Sequence, residues 1–117
     1  MFKIILLALL AVFFILNGFN HFYNKKLLEE YAHKRHLFSP KLSVFAAGGL
    51  LVAGGVCLLI PDLLIAGVIS LSVFLFVAAF TIHTFWVETG KQEKLIEAMN
   101  FAKNMAILTE LLYIGFA

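Results

Sequence analysis

The sequence is short of everything that marks a soluble or secreted domain. It has one cysteine, two prolines, one tryptophan and only 14% charged residues in 117. The lone Cys57 cannot close a disulfide within the chain, which excludes a disulfide-stapled scaffold. It lies in an apolar run, where a buried cysteine acts as a small hydrophobe rather than a redox thiol. Soluble domains are about 25% charged, so a water-solvated globule is excluded as well. A net charge of +2 leaves no basic surface for nucleic acid. There is no CxxC pair, no phosphate-binding glycine loop and no Ser-His-Asp set. His33 and His36 stand three apart in a basic stretch without cysteines or carboxylates arranged around them. They read as solvated headgroup contacts, and no metal ligand is assigned.

Hydrophobicity is what the chain has in abundance: 62% of residues, with a mean hydropathy of +0.98. It falls in long blocks rather than amphipathic stripes, the pattern of a chain solvated by lipid. The blocks run over about residues 1–22, 40–60, 63–87 and 94–117. Lys3 followed by Ile4 to Leu16 is shaped like a signal peptide, but no small-x-small cleavage site follows, so this block reads as a retained span. Ser39-Pro40 opens the second block, since Ser caps and Pro suits the first helical turn. Pro61-Asp62 stops it. The fourth block is the least apolar, with Lys103, Asn104 and Glu110 inside it, yet only a helix satisfies its backbone in lipid. Residues Asn24 to Phe38 predict a short interfacial helix, with Glu30 and Lys34 at pairing distance and Leu27, Leu28 and Tyr31 on one side.

The expected fold is therefore an all-α integral membrane protein, a four-helix transmembrane bundle forming a single domain over 1–117. Seven basic residues fall in the 1–2 and 3–4 connections, against Lys3 alone on the opposite side. By the positive-inside rule both termini face away from the cytoplasm. Gly49, Ala53 and Cys57 recur every four residues, and with Gly54 and Gly55 they form a small-residue strip suited to close helix packing.

Polar side chains inside the blocks carry the functional expectation. Asn17, Asn20 and His21 share one face near the cytoplasmic end of the first span. The third span brings His83 to the same depth, near the interfacial Trp86, and the fourth brings Asn100, Lys103 and Asn104 on one face. Meeting in the bundle interior, they would form a small polar pocket. Packing glue with Lys103 snorkelling to the headgroups is the other reading. Glu110, about 10 Å deeper than Lys103 by helical rise, needs a partner on another helix, a proton, or the far interface. Haem held by His21 and His83 is geometrically conceivable, but nothing else marks a haem site.

Four stretches resemble the DoxX family of small four-helix membrane proteins. They are Asn17-Gly18-Phe19-Asn20-His21-Phe22, Gly54-Gly55, His83-Thr84-Phe85-Trp86, and Asn100-Phe101-Ala102-Lys103-Asn104-Met105-Ala106. Members often carry a Glu before the glycine pair, whereas this chain reads AAGGLLVAGG there. The resemblance implies a bacterial or archaeal inner-membrane protein acting with other membrane subunits in quinone-linked or oxidative-stress assemblies. Three functions follow as expectations. The first is a non-catalytic accessory subunit of a membrane redox or respiratory assembly, with membrane lipids and other subunits as partners. The second is a quinone- or lipid-binding subunit of an oxidoreductase of the thiosulfate:quinone type. A small-solute transporter is the third.

Overall fold

The computed structural model describes residues 2–37 and 39–116; Met1, Phe38 and Ala117, which bound expected segments, lie outside these. The described residues form helices and no strand: α1 (Phe2–Tyr23), α2 (Lys25–Lys34), α3 (Pro40–Cys57), α4 (Leu64–Thr81) and α5 (Lys91–Phe116). Short 3-10 turns lie at Pro61–Leu63 and Phe85–Val87. Among the described residues, three units are long and apolar enough to cross a membrane: α1, α3 and the stretch Pro61–Val87. Only 22%, 28% and 33% of their apolar windows are buried, so most of that hydrophobic surface faces outward, consistent with a membrane protein. The fourth expected span, α5, does not meet the same standard of apolarity.

Local chemistry sets the boundaries. At the start of α3 the Ser39 hydroxyl accepts the Leu42 N–H at 3.4 Å, and Pro40 occupies the first turn, where its missing N–H costs nothing. Helix α2 ends in a Schellman turn: Leu37 N–H reaches Ala32 O at 3.2 Å and His36 N–H reaches His33 O at 3.0 Å. His36 takes φ 60° there, a left-handed conformation that such turns usually assign to glycine. Among the described residues no ion pair joins Glu30 to Lys34, and Leu27 points outward at 66% exposure, away from the side that Leu28 and Tyr31 share.

The third block corrects an expectation. The sequence predicts a span running through to Val87, but α4 stops at Thr81. Thr81 turns its hydroxyl back onto Val77 O at 2.8 Å, and β-branched Ile82 and Thr84 follow. Both features weaken a helix. His83 consequently sits in an unwound link, and Trp86 in the 3-10 turn that follows it, rather than on the face of α4.

Helix α1 packs mainly on α3, α5 packs on α4, and α3 joins the two pairs by packing on α4. The core between them is built from Phe14, Leu51, Val68, Leu71 and Leu111 with their neighbours. Close backbone approach replaces bulky packing at several crossings. A Cβ added at Gly18 would meet Val52 and stand 2.8 Å from Gly48 O, and one at Gly55 would stand 3.1 Å from Ala11 O. Small residues allow such contact where lipid gives helices no hydrophobic reason to associate. The bundle is 45 Å long, the full thickness of a bilayer with its headgroups, about 40–45 Å.

Candidate functional site: a buried ion cluster at one end of the bundle

The polar residues that meet are centred on Glu97, in the second turn of α5. Its side chain is buried, with 7% relative exposure. Arg35 forms an ion pair with it, Tyr31 donates its phenol hydrogen to it, and Asn100 Nδ2 donates to Glu97 Oε1 at 3.2 Å. Arg35 also pairs with Glu88 at 2.5 Å, and its guanidinium lies 5.3 Å from the Tyr31 ring centroid. His83 Nδ1 stands 3.5 Å from Glu97 Oε1 without hydrogen-bond geometry, a distance that makes an ion pair only when the imidazole is protonated. One guanidinium thus faces two carboxylates, with His83 beside them.

Each contributor is aimed by the local structure just described. The Schellman turn makes Arg35 the C-cap of α2, so its side chain leaves the helix end towards α5. Tyr31 lies one turn earlier on the same face. Unwinding after Thr81 frees the link that carries His83 and Glu88 to fold over the start of α5. The cluster therefore ties α2, the α4–α5 link and α5 together.

Electrostatics follow from burial and pairing. Burial raises the Tyr31 pKa, and its hydrogen bond to anionic Glu97 adds to that, so the phenol is pushed up to about 12 despite the opposing guanidinium. Burial pulls the Arg35 pKa down, but hydrogen bonds to Tyr31, Glu88 and Glu97 outweigh it and hold the guanidinium charged above its usual range. Removing one member of such a group leaves a buried charge without compensation.

The residues singled out from the sequence are distributed differently. Asn17 Nδ2 donates back to Phe13 O at 2.8 Å, and His21 Nδ1 lies 2.8 Å from Asn17 O. Asn20 accepts from Asn24, the turn residue between α1 and α2. These three stay with α1 and its continuation rather than reaching His83. Of the rest, His83 and Asn100 join the Glu97 cluster, Asn104 is buried on α5, and Lys103 and Glu110 are exposed. Trp86 is 48% exposed and packs edge-on against Phe85 and Phe101, at 5.2 and 6.0 Å between centroids. Gly54 is buried against Leu71 and Gly55 against Ile15, whereas Gly49 and Ala53 are exposed and nothing lies within 4 Å of a Cβ added at Gly49.

Sequence reasoning missed Glu97, Glu88 and the role of Arg35. A usable signal was present. Glu97 precedes Asn100 by three residues and Asn104 by seven, so the polar face of α5 extends one turn further back than Asn100. Arg35 is one of the seven basic residues of the connections, and nothing local distinguishes it from Lys25, Lys26 or Lys34.

Compared with protein-family models, with curated proteins and with solved structures, the chain matches none.

Proposed function

We propose that this chain is a non-catalytic accessory subunit of a membrane redox-type assembly in a bacterial or archaeal inner membrane. In this reading α5 is the fourth span and both termini lie on the non-cytoplasmic side. The observation that carries it is the ion cluster: its carboxylates and cation are spent on one another across three segments, which is the arrangement of a structural clamp rather than of a reaction site. The outward-facing apolar surfaces of α1 and α4 fit a body that meets lipid or other subunits on most sides. The redox context rests on the DoxX resemblance alone. Quinone binding at the expected polar pocket has less support, because that pocket needs His21, His83 and Lys103 together, and Lys103 faces outward.

The test is purification of the tagged chain from its native membrane in mild detergent. Stoichiometric recovery with an oxidoreductase subunit is the expected outcome, together with loss of that enzyme's membrane activity when the chain is deleted. A monomer without partners, and unchanged activity on deletion, would remove the proposal. Reporter fusions at each end test the orientation: cytoplasmic signal from both termini would reverse it, and from one alone would remove α5 as a fourth span.

A further inference from the structure

Helices α3 and α4 are not parallel neighbours along their whole length. At the Pro61 turn they touch through glycines: a Cβ on Gly67 would stand 3.1 Å from Gly54 O and 2.8 Å from Cys57 Cβ. Towards the other end they diverge, and α2 lies across the opening with Leu28, Tyr31 and Ala32 facing in. The result is a wedge-shaped cleft of about 400 Å³, walled by Ala47 and Leu50 on α3 and by Phe74 and Ala78 on α4. That volume lies in the range of small-molecule sites, about 300–1,000 Å³. From Ser43 to Leu50, and from Thr81 to Phe74, the cleft runs about 10 Å along the helices.

The chemistry of the wall selects the occupant. Four polar side chains reach it, namely His21, Tyr31, Ser43 and Thr81. Three are already engaged: His21 Nδ1 with Asn17 O, Tyr31 with Glu97, and Thr81 with Val77 O. A ring carrying carbonyls would find few free donors, whereas a hydrocarbon chain needs none. Beside the cleft, and sharing His21 and Val44 with it, is a second recess of about 440 Å³ bordered by Lys25, Lys41 and Ser39, with Glu29 as its one carboxylate. Two ammonium groups against one carboxylate favour a phosphate there.

We propose that the cleft between α3 and α4 binds one acyl chain of an anionic phospholipid whose phosphate rests on Lys25 and Lys41. The site needs the membrane setting but not the partner complex, so it stands or falls separately from the accessory role. The test uses the delipidated full chain in detergent, titrated with phosphatidylglycerol or phosphatidylcholine and read by native mass spectrometry. One tightly held phosphatidylglycerol per chain is expected, with phosphatidylcholine bound at least tenfold more weakly. Ala78→Phe, which fills the cleft, should lower phosphatidylglycerol binding at least tenfold, and Lys25→Glu with Lys41→Glu should erase the preference between lipids. Since a filled cleft can also disturb packing, the unaltered chain is irradiated with phosphatidylglycerol carrying a photoreactive acyl chain. Adducts concentrated between Ala46 and Leu50 and between Phe74 and Ala78 support the site. Adducts spread over the outer faces of α1 and α4, equal binding of the two lipids, or no retained lipid would each overturn it.

Discussion

Arg35 is the residue on which the α2 end of the bundle depends. Its guanidinium serves two carboxylates and a phenol at once, a fork geometry that lysine cannot reproduce. Arg35→Ala is expected to destabilise the fold by about 3–5 kcal/mol, since Glu97 would be left buried, and Glu88 half-buried, without their cation. Denaturant titration in detergent micelles measures it, and Arg35→Lys should recover only part of the loss. Tyr31 gives a spectroscopic reading of the same cluster. Its folded pKa, at about 12, lies above the unfolded value of about 10, so its contribution to stability is complete below pH 10 and fades as pH rises through 12. The ultraviolet difference between the parent and Tyr31→Phe should show one phenol ionising near pH 12. His36 makes the opposite kind of prediction. It holds a left-handed φ of 60°, so His36→Gly should leave stability unchanged or raise it by up to about 1 kcal/mol in the same titration.

At the level of the helix, glycines divide sharply by face. Gly18→Ala would push a methyl group into Val52 and the Gly48 carbonyl, so α1 and α3 must separate, and loss of stability is expected. Gly49→Ala meets nothing and should instead gain about 0.5–1 kcal/mol from the better helix propensity of alanine. Thermal unfolding followed by circular dichroism separates the two. The expected spacing of Gly49, Ala53 and Cys57 was legible in the sequence as a small-residue strip, but which face of α3 meets α1 was not. That choice depends on pairings such as Gly55 with Ile15 of α1 and Val52 with Gly18 of α1, which carry no mark of their own. Helix starts were legible where chemistry is local, as at Ser39-Pro40. The end of α4 was not, because apolarity continues past Thr81 while the backbone unwinds. The site was legible only in part, through His83 and Asn100, for a related reason. Glu97 is called inward by Arg35, 62 residues away, and no local pattern records a pairing at that range.

For the whole molecule, that separation along the chain has a consequence for how the protein is made. Synthesis runs at about 5–20 residues per second, so Arg35 emerges roughly 3–12 s before Glu97 exists to receive it. During that interval α1 and α3, long and apolar enough to cross a membrane, can settle, while Arg35 waits in headgroup water with its charge solvated. Helix α5 is the least apolar of the long helices and the last to appear. Its arrival brings the carboxylate that pairs with Arg35 and so holds α2 over the cleft. A nascent chain halted short of Glu97 would therefore display an unanswered arginine beside a gaping α3–α4 wedge, a form that membrane proteases could tell apart from the finished protein.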